Sequence, residues 1–254
     1  MNPWLIGPPL TLTAAVAAVT AYGAVHPRSE LFGPVIWRSN SPRKLTITFD
    51  DGPNPKITPE LLNLLDSFQA RATFFVIGRF ARECPELLRE IAQRGHTVGN
   101  HTLSHPNLFW RNAPQIREEL RQCNEAIFAA AGTSPRWFRP PFGMRNPWVI
   151  SEARALGLNA VLWTLLPGDW RGKPSAWLIK RMEPVAAHAQ AAASGGKISE
   201  SGHGDILCLH DGNHRFLNGD RGATLAALRH WLPRWRDLGL EFVTIDEAVN
   251  APAL

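Results

Sequence analysis

The chain has 254 residues, enough for one large domain and too few for two comfortable ones. Its 44% hydrophobic and 19% charged content excludes a disordered or low-complexity chain. A net charge of +5 draws it toward anionic partners, but the basic residues are scattered among acidic ones, which argues against a nucleic-acid-binding protein.

The N-terminus is uncharged from Asn2 to Val25, and Arg28 is the first charged side chain. Residues 1–40 are expected to form a hydrophobic membrane-associated or signal-like segment, and residues 41–250 the folded domain. Pro3, Pro8 and Pro9 weaken the start of any span, and no basic region precedes it as a signal peptide would require. Arg28, Arg38, Arg43 and Lys44 follow it, which by the positive-inside rule would hold the domain on the cytoplasmic side. A location at the membrane or cell envelope is expected, with the orientation open. A helix packed on the domain surface is the alternative.

From Lys44 onward short apolar runs alternate with amphipathic stretches. The runs are Leu45–Asp50, Ala72–Ile77, Thr97–His101, Arg136–Arg139, Asn159–Trp163, Ile206–His210 and Glu241–Ile245, read as parallel strands buried on both faces. Helices are punctuated between them. Thr58-Pro59 opens one, Pro114 starts another that Gly132 ends, Asn146-Pro147 opens a third that Gly157 closes, and Gly95 and Gly239 end two more. Ala186–Gly204 reads as a helix end followed by a loop. Seven such units predict an α/β domain, either a barrel or a doubly wound sheet.

Polar residues collect at the strand ends. Asp50 and Asp51 end the first strand, His101 and His105 the third, Arg139 the fourth and His210 the sixth, while Asp169 lies just past the fifth. In a parallel domain those ends share one side, where such folds carry their sites. Adjacent residues at a strand end point opposite ways, so of Asp50 and Asp51 one can bind a metal while the other reaches a substrate water. A plain Asp-Gly-Pro turn is the other reading of that segment. Pro106 disfavours helix at His105, which makes His101 and His105 a strand end running into a loop. Two imidazoles and a carboxylate leave room for water on a zinc-like ion. Arg139 can hold a carboxylate bidentately, and His210 can serve as a general acid. The three cysteines, Cys84, Cys123 and Cys208, form neither a zinc knuckle nor a disulfide framework. Cys208 shares a strand face with His210, but a cysteine in an apolar run is usually a small hydrophobe.

Thr48-Phe49-Asp50-Asp51-Gly52, His101-Thr102-Leu103-Ser104-His105 and Arg139-Pro140-Pro141-Phe142-Gly143, in that order, resemble the first three motifs of the polysaccharide deacetylase family, carbohydrate esterase family 4 (the nodulation-factor deacetylase homology domain). The segments around Asp169-Trp170 and His210 resemble the fourth and fifth. The resemblance implies a distorted (β/α)7 barrel and metal-dependent hydrolysis of N-acetyl groups on an amino-sugar polymer such as peptidoglycan or a chitin-like chain, releasing acetate. It implies Asp50 as general base, with Asp51, His101 and His105 binding a divalent ion, Zn2+ first and Co2+ or Ni2+ as alternatives. Arg139 would orient Asp50, the Phe142 N–H would help hold the oxyanion, and Asp169 would orient His210 as the acid. Trp170 would contact substrate.

Two positions depart from the family pattern. Leu166 stands where a second acidic residue often precedes Asp169, and Cys208 replaces a leucine that would line the acetyl pocket. An N-acetylated glycan is the expected partner, with membrane association through the N-terminus. A deacylase of a lipid-linked sugar and an inactive glycan-binding protein are the alternatives.

Overall fold

The computed structural model describes residues 7–194 and 203–249. Its strands are β1 Lys44–Asp50, β2 Ala72–Val76, β3 Thr97–Asn100, β4 Trp137–Phe138, β5 Asn159–Ala160, β6 Ile206–His210 and β7 Glu241–Phe242. Each falls within or beside an apolar run that predicts it, although β4, β5 and β7 are only two residues long. Pro140 and Pro141 follow Arg139 and have no N–H to donate to a ladder, which stops β4 early.

The strands pair in parallel in the order β5-β4-β3-β2-β1-β6, and β7 pairs with the foot of β1. Past β5 the chain returns along β6, where Leu165 and Leu207 form a parallel bridge. That bridge joins the two ends of the sheet, so the architecture is a distorted (β/α) barrel, as the resemblance implies.

The pleat sorts the side chains of β1 and β6. Leu45, Ile47, Phe49, Leu207 and Leu209 pack outward into one core with helix residues. The alternate positions Thr48, Asp50, Cys208 and His210 therefore face the barrel interior. Nine helices lie among the described residues: α1 Gly7–Val25, α2 Thr58–Ser67, α3 Gly78–Glu83, α4 Pro85–Gln93, α5 Ala113–Ala131, α6 Val149–Ala155, α7 Ser175–Ala193, α8 Gly222–Asp237 and α9 Ile245–Val249. Helix α5 opens on a reciprocal cap between Asn112 and Gln115 and stops at Gly132, whose φ of 73° an L-side chain rarely adopts. Helix α9 lends Ile245 and Ala248 to a cluster with Phe75, Trp137 and Ile206 inside the barrel. Of the loop expected within Ala186–Gly204, residues 195–202 lie outside the described residues.

The N-terminal segment divides in two. On α1, Leu12, Val16, Val19 and Tyr22 are exposed, and among the described residues no helix is long and apolar enough to cross a membrane. The stretch that follows is bound to the barrel. Val35 is buried with Phe138 and Ile150, and Ile36 bridges Val161. The buried Arg145 guanidinium donates to the carbonyls of Ser29 (3.1 Å) and His26 (2.6 Å).

Candidate active site

Asp50 and His210 are set side by side by register, since β1 and β6 pair Asp50 with His210 and Thr48 with Cys208. The fully buried Arg139 enters from the end of β4. Its Nη1 donates to Asp50 Oδ1 (2.8 Å) and to Thr48 Oγ1 (2.6 Å). Nη2 and Nε are occupied by the carbonyls of Leu162 (3.0 Å) and Val161 (3.2 Å). The bidentate grip expected of Arg139 is therefore a single contact, because the guanidinium fork also ties down the chain past β5. Cys208 Sγ lies 3.4 Å from Asp50 Oδ2. Burial first, then the charge of Asp50, raise its thiol well above the ordinary value, so it stays protonated.

Asp51 is separated from Asp50 by more than the pleat. Its φ is 70°, so the backbone turns left-handed directly after the strand and carries the second carboxylate away from Arg139. Asp51 Oδ1 stands 3.2 Å from His105 Nε2 and 3.6 Å from His101 Nε2. His101 Nδ1–H donates to the Arg139 carbonyl at 2.7 Å, which leaves Nε2 with its lone pair facing Asp51. His105 also has positive φ (62°), so the segment is the non-helical strand end that Pro106 predicts.

Burial above all lowers the His105 pKa to about 3, and the ring is neutral at neutral pH, as a ligand must be. Burial works to raise Asp51, but contacts with His101 and His214 and the charge of His210 outweigh it, and the carboxyl lies well below its ordinary value. Asp51 Oδ1 is buried and has no hydrogen-bond partner. An unpartnered carboxylate oxygen facing two imidazole nitrogens fits a divalent cation.

His210 and Asp169 form the third group. Asp169 Oδ1 accepts from His210 Nδ1–H at 2.8 Å, and its Oδ2 accepts from the His210 backbone N–H (2.8 Å) and Thr224 Oγ1 (2.9 Å). Burial opposes the imidazolium, but the charge and hydrogen bond of Asp169 prevail and raise His210 to about 9.

Asp50, Asp51, His101, His105 and His210 line one cavity of about 460 Å³, together with Phe142, Trp163, Leu166, Trp170 and Cys208, while Arg139 and Asp169 stand behind it on Asp50 and His210. Trp170 meets His210 edge-on at 5.0 Å, and Phe142 meets His105 edge-on at 4.7 Å. All the site residues expected from the sequence thus come together.

The sequence reading missed a layer beneath them. Gly52 lies against the Asp211 carboxylate and Gly212 against the Asp51 carbonyl, approaches too close for any Cβ. The two Asp-Gly pairs therefore pack back to back. Asp211 is buried, accepts from the Thr58 hydroxyl and is raised to about 7, chiefly by burial. His214, at the cavity wall, was also missed. Its signal was available, since it follows the β6 end by four residues on the face that carries the other groups.

The profile described as polysaccharide deacetylase matches residues 38–161. The peptidoglycan-N-acetylglucosamine deacetylase of Bacillus cereus is 33% identical over 219 residues, covering 86% of this chain and 94% of the relative. A chitooligosaccharide deacetylase of Sinorhizobium fredii is 36% identical over 199 residues, covering 76% and 86%. Among solved structures, a peptidoglycan N-acetylglucosamine deacetylase superposes with a TM-score of 0.74 at 26% identity, covering 86% of this chain and 94% of that one. Likeness of this extent, over a barrel whose site residues also converge, places the chain in the polysaccharide deacetylase family.

Proposed function

We propose that the chain hydrolyses N-acetyl groups on an N-acetylglucosamine polymer, of the peptidoglycan or chitin-like kind on which its relatives act. The observation that carries this reading is the pairing of a carboxylate base and an imidazolium acid across β1 and β6, beside the Asp51-His101-His105 cluster. Asp51, His101 and His105 would hold a divalent ion, zinc in our reading, with cobalt and nickel as alternatives. Such an ion supplies Lewis acidity, lowering the pKa of water toward about 7 and polarising a carbonyl.

The chain's own residues do the rest. Asp50, oriented by Arg139, takes the proton of the attacking water. The backbone N–H of Phe142 donates to the oxyanion of the tetrahedral intermediate, a kind of contact typically worth ~10²–10³ in rate. His210 gives its proton to the departing amine, and Asp169 favours the imidazolium that must precede that step. Phe142 and Trp170, both exposed beside the cavity, offer faces for sugar rings, while Cys208 replaces a branched side chain in the acyl pocket.

Release of acetate from chitin and peptidoglycan oligomers, measured with and without a chelator, tests this reading. Acetate released only from an N-acetylated lipid-linked sugar would favour the lipid-linked alternative. Glycan binding without acetate release would leave the chain an inactive binding protein. For the N-terminus, our reading is a catalytic unit that begins near Ala24, with α1 resting on a membrane or envelope surface. The uncharged helix with Leu12, Val16, Val19 and Tyr22 in solvent supports it, and co-sedimentation of the full chain with lipid vesicles tests it.

A further inference from the structure

We infer that His214 is a fourth protein ligand of the ion assigned to Asp51, His101 and His105. The inference rests on that metal assignment and adds to it a residue from a different part of the chain. The donor atoms of Asp51, His105 and His214 lie within 4.8 Å of one another. His214 Nδ1 stands 3.7 Å from Asp51 Oδ2, beside the 3.2 and 3.6 Å separations of His105 and His101 from Oδ1. Two donors at about 2.1 Å from a tetrahedral ion are about 3.4 Å apart, so all three separations are close to those of shared ligands. At 3.7 Å the His214–Asp51 contact is too long for a hydrogen bond. His101 and His105 face Asp51 Oδ1, while His214 reaches the same carboxylate through Oδ2.

The loop that carries His214 is built to hold it there. Asn54, buried just after the first motif, donates from Nδ2 to the carbonyls of Asp211 and Gly219, both at 2.8 Å, and so pins the two ends of the loop together. Arg79 of α3 donates to the carbonyl of His214 itself. Asn213 accepts from the Arg215 N–H at 3.0 Å through its side chain and from the Phe216 N–H at 3.2 Å through its carbonyl. The imidazole stacks on His105 with centroids 4.5 Å apart and planes at 17°, and meets Phe142 edge-on at 5.6 Å. Its ring is thereby held between two aromatic neighbours, with a third of the side chain exposed at the cavity.

The test uses the full chain stripped of metal, with zinc affinity read by competition against a chromophoric chelator and the visible spectrum read after cobalt loading. His214→Ala should weaken zinc binding at least by the roughly 10–100-fold seen on losing a partner of a metal ligand. It should also shift the cobalt bands to longer wavelength, because water replaces an imidazole nitrogen. Added imidazole should restore the wild-type spectrum in His214→Gly, and an unchanged melting temperature of the metal-free variants would show that they fold.

Wild-type affinity and spectrum in His214→Ala, with binding lost in His105→Ala, would overturn the fourth ligand and leave the three-residue site standing. Weakened affinity with an unchanged cobalt spectrum would also overturn it, making His214 an outer neighbour. Undiminished binding in His105→Ala would overturn the metal assignment itself.

Discussion

Replacing Asp169 with asparagine removes the charge that holds His210 protonated and leaves the size of the side chain unchanged. The carboxylate accepts three hydrogen bonds, from His210 Nδ1, the His210 backbone N–H and Thr224 Oγ1. An amide can accept at one atom only, so one N–H must face an NH2 group or the imidazole must surrender its Nδ1 proton. Without the Asp169 charge, burial is left to dominate, and His210 should fall from about 9 to its ordinary 6.5 or below. That difference is worth about 3 kcal/mol of preference for the imidazolium.

At pH 7 a group with pKa 6.5 is only about one quarter protonated. The rate should therefore fall several-fold at pH 7 and recover toward pH 5.5, where a quarter-charged acid becomes a mostly charged one. Acetate release from a chitin oligomer, followed from pH 5 to 10, is the assay. The wild-type basic limb should lie somewhat below 9, because a bound cation also repels the imidazolium. The variant limb should lie at least about one unit lower still.

Stability must change in the matching direction. A raised histidine pKa stabilises the fold fully below pH 6.5, and that stability is lost as the pH climbs through about 9. The melting-temperature gap between wild type and Asp169→Asn should consequently be widest near pH 6 and narrow by pH 9 to 10. A basic limb that does not move would refute the pairing of Asp169 with His210 as the acid.

The two adjacent aspartates should separate cleanly. Asp50→Asn should keep its metal and lose roughly 10²–10⁴ in rate, whereas Asp51→Asn should lose metal and regain part of its rate in excess zinc; elemental analysis beside turnover decides. Chelation should abolish acetate release and zinc or cobalt should restore it, so full turnover by protein shown to be metal-free would remove the ion from the reaction. Cys208→Ala should retain most of the activity, since a thiol held far above its ordinary pKa supplies no thiolate; a dead but folded variant would count against this. A chain beginning at Thr20 should fold and turn over normally. One beginning at Ser39 should melt far lower or aggregate, because it removes Val35 from the cluster it shares with Phe138 and Ile150, breaks the Ile36 bridge to Val161, and takes the carbonyls of His26 and Ser29 from Arg145.

The alternation of apolar runs and helix punctuation made the barrel legible, because a strand buried on both faces needs a continuous apolar run. The positions of Asp50, Asp51, His101, His105, Arg139, Asp169 and His210 were legible for a related reason, since parallel strands deliver their ends to one face. Tertiary partners were not. Nothing local in Arg139 says that its fork will be shared with the carbonyls of Leu162 and Val161. Strand alternation accounts for only part of the separation of Asp50 from Asp51, since the left-handed turn at Asp51 cannot be read from side-chain period. Residues 26–38 follow directly on the apolar leader, and long-range contacts, the bridge of Ile36 to Val161 and the bonds of Arg145 to His26 and Ser29, reveal that they belong to the barrel.

Asp51, Thr102, His105 and Phe142 all sit at positive φ, which aspartate and histidine tolerate better than most and the β-branched Thr102 least of all. Such residues cost of order 1–3 kcal/mol apiece, so the rim of the cavity is where this chain is least comfortable as a polypeptide. Thr102 is held in place by its neighbours, donating its N–H to Asn100 Oδ1 (2.7 Å) and accepting from the His105 N–H at its hydroxyl (3.0 Å). Glycine at Thr102 would let the backbone relax but would take the hydroxyl from the buried His105 N–H, a loss of roughly 1–3 kcal/mol that offsets the strain relieved. The same exchange would free the link between His101 and His105, so a descendant of this chain that shed the strain there would be expected to be among its poorer catalysts.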